Sequence, residues 1–122
     1  MKIVIPVSPG ELLDKITILE LKRMHLRDPE QLGNVERELG YLEQIAADAI
    51  PDLLPQSASL REVNAKLWDI EDALRAMERD QDFGGLFVES ARSVYRLNDK
   101  RSAIKKEINV LCGSEIIEEK SH

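Results

Sequence analysis

Hydrophobic residues recur every three or four positions through most of this chain, and Pro, Gly, Ser and Asp gather where that rhythm stops. The pattern predicts four helices. The first runs from about Pro9 to Leu26, with Leu12, Leu13, Ile16, Ile18, Leu19, Leu21, Met24 and Leu26 spread over far more than one stripe. A helix apolar over so wide an arc packs on several sides. It is therefore expected at the centre of the fold or in a subunit interface. Its start is fully specified: Ser8 is a preferred N-cap, Pro9 fits the first helical position and Glu11 completes a capping box. Val7 and Leu12 hold the two positions of a hydrophobic staple.

Asp28, Pro29 and Gln31 repeat the start signal for a second helix. Its Leu32, Val35, Leu39, Leu42, Ala46 and Ala49 form a narrow heptad seam. Gly33 and Gly40 each cost that helix about 1 kcal/mol relative to Ala, and are expected to mark close helix approach. Ile50 to Ala58 reads as a loop punctuated by Pro51 and Pro55, and Ser59 with Glu62 as a third capping box. The third helix has a clean seam of Leu60, Val63, Leu67, Ile70, Leu74 and Met77, with Trp68 beside it as a core anchor or interface residue. Asp80 to Gly85 breaks the pattern. The fourth helix, from about Leu86 to Cys112, is the longest at about 40 Å, and Gly113 is its natural C-terminal cap.

The β-branched run Met1–Val7 reads as a short strand, and a lone strand leaves its backbone groups unpaired. Its candidate partners are the tail around Ile116 and Ile117 and the same strand of a second subunit. The expected fold class is all-α: an antiparallel four-helix bundle in one domain, with a short N-terminal strand paired to the C-terminal tail or across a dimer.

Composition narrows the function. The 122 residues, 43% hydrophobic and 33% charged, suffice for a core without disulfide or metal. A net charge of −6 argues against nucleic acid as a partner. No apolar stretch approaches the ~20 residues of a membrane span. The start lacks the apolar core of a signal peptide, so a cytoplasmic location is expected. Cys112, the single cysteine, forms no internal disulfide and sits at an apolar seam position, as a core residue rather than a nucleophile. His25 and His122 belong to no ligand-spaced cluster, so neither metal nor cofactor is expected.

One local anomaly points to chemistry. The seam of the fourth helix is apolar at Phe87, Ala91 and Val94, polar at Asn98, Arg101 and Lys105, and apolar again at Ile108 and Cys112. In the first helix, Glu20 falls on an apolar arc among Leu13, Ile16 and Met24. A Glu20–Arg101 pair follows, with Tyr95, Asn64 and Glu71 on faces that join it. Polar groups in a packed seam must be paired or wet, and two readings result. In the first, the group is an internal ion-pair network that fixes helix register. In the second, Arg101 and Lys105 hold a carboxylate or phosphate while Asn98 and Tyr95 orient it. The candidate ligand-binding residues are thus Glu20, Tyr95, Asn98, Arg101 and Lys105; none is assigned a catalytic role.

The segments Val7–Glu20, Leu67–Arg75, Arg92–Arg101, and Gly113–Ser114 with Glu118–Ser121 resemble a family of small bacterial proteins known only as a domain of unknown function. The resemblance covers essentially the whole chain. It implies an accessory role inside the cell, near or fused to tetratricopeptide-repeat proteins and sugar transferases of surface-polysaccharide loci, and it carries no catalytic residue. A second, looser resemblance is to the all-helical chorismate mutases, which bind a dianion with Arg and Lys. Here Thr17 stands where that family's first-helix pattern has its second Asp, and the pattern's leading Arg is missing. Arg101, Lys105 and Lys15 are the only set of cations for such a site. The leading expectation is a non-catalytic interaction protein that forms a homodimer; a small-molecule anion binder or enzyme is the alternative.

Overall fold

Four helices, α1 (Pro9–His25), α2 (Pro29–Ala49), α3 (Pro55–Arg79) and α4 (Gly85–Leu111), make up the fold in a computed structural model that describes residues 1–51 and 55–120. Asp52, Leu53 and Leu54 of the two-proline loop, with Ser121 and His122 at the end, lie outside the described residues. The helix starts are chemically as expected. Ser8 Oγ accepts the Glu11 N–H at 3.2 Å, and Asp28 Oδ2 accepts the Gln31 N–H at 3.0 Å. α3 is the exception. It begins at Pro55, so Ser59 lies inside the helix instead of capping it. Proline suits a first helical position, where its missing N–H has no partner to lose. α4 closes with Gly113 at φ 62°, where Ser114 N–H reaches Asn109 O at 2.9 Å and Gly113 N–H reaches Val110 O at 3.2 Å. This is the Schellman arrangement for which glycine is favoured.

α1 touches all three other helices, whereas α2 touches only α1 among the described residues. The wide apolar arc explains this. Leu12, Ile16 and Leu19 of α1 pack with Val35, Leu39 and Ile50 of the α2 side. A second cluster joins Leu60, Val63 and Leu67 of α3 to Ile104 and Ile108 of α4. Leu13 and Cys112 pack against both clusters and bridge them. The two helical hairpins α1–α2 and α3–α4 are thus joined through α1.

The close approach falls on a different glycine from those expected. A Cβ at Gly10 would lie 2.6 Å from the Lys105 carbonyl oxygen and 2.9 Å from Asn109 Oδ1, so α1 and α4 meet backbone to backbone here. Gly10 N–H donates to Asn109 Oδ1 at 2.7 Å across the same contact. Gly33 and Gly40 face open space.

The N-terminal strand does not form. Met1–Val7 has no strand structure and all seven residues are exposed, with Lys2 Nζ 4.7 Å above the Tyr41 ring. The tail does return to the start of α1, but through a side chain: Ser8 Oγ donates to Glu118 Oε1 at 2.5 Å. A carboxylate contact replaces the expected ladder, and the β-branched run is left uncovered.

The α3–α4 hairpin outreaches its neighbours. α1 has 17 residues and α4 has 27, about 25 Å against 40 Å. The last residue of α1, His25, stacks on Trp68 with ring centroids 4.7 Å apart. Beyond that level no residue from Asp69 to Ala103 is buried, and α3 and α4 project as a two-helix arm.

Gly10→Ala is expected to lower stability by about 1–3 kcal/mol, the usual cost of forcing atoms into a packed contact. Gly33→Ala and Gly40→Ala should each raise it by about 0.5–1 kcal/mol, since only the helix backbone responds. Urea midpoints of the three variants measure both.

Candidate functional site

The structure gathers polar groups where α1, α3, α4 and the tail converge. Asp14 is the buried charge among them, 4% exposed, beside Thr17 and Asn64 at 2% and 3%. Its Oδ1 accepts from Asn64 Nδ2 at 2.9 Å, and Asn64 Nδ2 also reaches Thr17 Oγ1 at 2.7 Å. Thr17 Oγ1 itself donates to the Asp14 carbonyl at 2.8 Å. On the far side of Asn64, its Oδ1 accepts from Arg101 Nη1 at 3.4 Å. Arg101 Nε lies 3.9 Å from Asp14 Oδ1. Each buried polar atom in this set thereby has a partner, as burial demands.

Lys105 is the hub. Its Nζ lies 2.7 Å from Glu11 Oε2, 3.5 Å from Glu118 Oε2 and 3.8 Å from Asp14 Oδ2, and its side chain is only 14% exposed. Burial acts to lower the pKa of this ammonium. The hydrogen bond and charge of Glu11, with the charges of Asp14 and Glu118, outweigh burial, so the pKa is raised above the ordinary lysine value. Glu11 therefore does not complete the capping box with Ser8; its carboxylate goes to Lys105 instead. Glu118 Oε1 takes the Ser8 hydroxyl while its Oε2 faces Lys105, tying the tail to both α1 and α4.

The expected site residues divide. Arg101 and Lys105 lie together in the cluster. Glu20 does not meet Arg101; its Oε1 pairs with Arg61 Nη2 at 3.3 Å, on the wall of an open groove between α1, the end of α2 and the start of α3. Arg101 takes Asp14 as its acid because Asp14 lies nearer the α1 terminus, and that end of α1 meets this part of α4. Tyr95 is exposed and Asn98 half-buried, and no side-chain hydrogen bond links either to the cluster among the described residues. Glu71 is exposed on the arm, and Lys15 is exposed on α1. Of the faces expected to join, only Asn64 does so, as the central hydrogen-bonding residue.

Sequence reasoning passed over Glu11, Asp14, Thr17, Asn109 and Glu118. A signal for three of these exists. Ser8, Glu11, Asp14, Thr17 and Glu20 recur at every third position of a helix that is otherwise strongly apolar. A spacing of three drifts slowly round a helix of 3.6 residues per turn. The stripe therefore winds from the tail, past α4, to α3, which matches its partners Glu118, Lys105, Asn64 and Arg61 in order.

Chemically the cluster is self-contained. Three carboxylates, Glu11, Asp14 and Glu118, face two cations, Arg101 and Lys105. Within the cluster the carboxylates thus outnumber the cations. Among the described residues no group of three His, Cys, Asp or Glu side chains is placed to hold a metal ion. Cys112 has its thiol pKa pushed up by burial, which makes it a poor nucleophile.

The chain belongs to the Family of unknown function (DUF6165), whose profile matches residues 1–122. No curated protein and no solved structure matches it. Among the described residues no helix is long and apolar enough to cross a membrane.

Lys105→Ala leaves three carboxylates without their shared cation and is expected to cost about 3 kcal/mol, toward the lower end for a broken buried pair because Glu11 and Glu118 are partly solvated. Arg101→Ala should cost less, about 1–2 kcal/mol, since Asp14 keeps Asn64 and Lys105. The contribution of Lys105 is fully present below the unfolded lysine pKa of 10.5 and is lost as pH rises through the higher folded value. Wild-type stability should therefore fall on the alkaline side in a step that the Lys105→Ala variant lacks. Urea titrations across that range compare the two.

Proposed function

We propose that this protein is a non-catalytic interaction module that pairs through its projecting arm, with a second copy as its partner. The observation that carries this reading is the arm itself. Ile70, Leu74, Met77, Phe87, Val94 and Leu97 are only half-buried between two helices, and Phe83, Leu86, Val88 and Tyr95 are exposed. Two helices alone cannot cover such a seam, and exposed apolar surface of this extent marks an interface. Charge favours a like partner. Along the arm α3 carries Asp69, Glu71, Asp72 and Glu78 against Arg75 and Arg79, a net acidic balance, whereas α4 carries Arg92, Arg96 and Lys100 against Glu89 and Asp99, a net basic one. Arg92 and Arg96 pair with Glu89 on their own helix, and no ion pair joins α3 to α4 in the arm among the described residues. The acidic helix of one copy is then complementary to the basic helix of another.

The competing reading, an anion pocket or mutase-like site on Arg101 and Lys105, is disfavoured because both cations already face the chain's own carboxylates. An accessory role within a bacterial cell, of the kind the family resemblance implies for surface-polysaccharide synthesis, is compatible with a module that binds but does not catalyse. A free Cys112 suits a reducing compartment.

Sedimentation equilibrium tests the proposal. Wild-type protein is expected to self-associate with rising concentration. Leu86→Glu combined with Tyr95→Glu, both at exposed positions, should shift it to monomer without changing helicity. A wild-type protein that stays monomeric into the high micromolar range contradicts the pairing.

A further inference from the structure

The tail motif Gly113–Ser114 with Glu118–Glu119–Lys120 does more than close the polar cluster. It walls off a cavity of about 390 Å³ against the C-terminal half of α4. On the helix side, Ser102, Lys106, Asn109 and Gly113 fall on one stripe, with Lys105 beside it. The tail is fixed as the opposite wall at three points. Ser114 Oγ bonds both the N–H and the carbonyl of Ile116, Glu118 reaches Ser8 and Lys105, and Lys120 pairs with Asp99.

We propose that this cavity binds a small organic anion, a carboxylate or phosphate monoester bearing a short apolar group. The electrostatics set the sign. In a chain of net charge −6, the lining brings together Lys105, Lys106 and Lys120 against a single acid, Glu118. Lys105 is committed to the inner cluster and Lys120 to Asp99, whereas exposed Lys106 forms no ion pair among the described residues. Lys106 thus supplies the uncommitted ammonium of the lining, matched to one anionic head group. The shape sets the rest of the ligand. Val110 and Ile117 are 77% and 72% exposed and line the same cavity with Ile116. An inorganic ion would leave this apolar surface wet, whereas an alkyl group would cover it. The site is separate from the arm and does not depend on pairing.

Isothermal titration of the full chain with hexyl phosphate, hexanoate, inorganic phosphate and hexanol tests the assignment. Both alkyl anions are expected to saturate one site per chain, inorganic phosphate to bind about tenfold more weakly for want of apolar contact, and hexanol not to bind. Lys106→Gln, at an exposed residue with no ion pair among the described residues, should weaken the alkyl anions about tenfold by removing a charge-assisted contact. Lys22→Gln on α1 should have no effect. Failure of both alkyl anions to saturate, or wild-type affinity in the Lys106→Gln variant, overturns the site. Inorganic phosphate binding as tightly as hexyl phosphate overturns the apolar part of the assignment.

Discussion

The Lys105 ammonium, held by Glu11, Asp14 and Glu118, is the interaction on which the rest of this structure depends. It joins the start of α1, the interior of the α1–α3–α4 junction and the returning tail at one atom. Such a contact is costly to assemble, because a buried cation loses its hydration and must recover it from well-placed acids. Here the recovery is threefold, and Asn64 and Arg101 satisfy what remains of Asp14. The backbone contact at Gly10 brings α1 close enough to α4 for these side chains to meet. Register, tail position and the placement of α1 are consequences of the same joint.

Much of this was legible from residue pattern. The four helices, their caps at Ser8, Asp28 and Gly113, and the central position of α1 follow from periodicity and end chemistry, which are local properties. The polar break on α4 was also visible, since Arg101 and Lys105 interrupt an apolar seam. Their acids were not. Glu20 stood out because it is flanked by apolar residues, but a wheel of one helix says nothing of which neighbour lies against it, and Glu20 met Arg61 instead. Glu11 was masked by its ordinary explanation as a capping-box acid, and Asp14, beyond the first turn of α1, carries no helix-end signal. Glu118 lies 110 positions from Ser8 in the chain, where local rules have no reach. The strand failed for a related reason. β-branched residues favour an extended backbone, but only a ladder partner makes a strand, and none is present for Met1–Val7 among the described residues.

What the junction does not use is as informative as what it uses. With its cations neutralised internally, the junction reads as architecture, and function moves to the surfaces it holds in place. On one side the α3–α4 arm projects past the end of α1 with its seam half-covered. On the other, the tail pinned by Glu118 forms a lysine-lined cavity with an apolar wall.

The central claim is that Lys105 and its carboxylates are coupled as a structural unit. A double-mutant cycle of Lys105→Met and Glu11→Gln, read by urea unfolding, tests this most directly. The account predicts a coupling of about 1–3 kcal/mol, the range for side chains in one charge network, so that the double variant is clearly more stable than the summed single losses imply. Additive losses, with no coupling between the two positions, would contradict it.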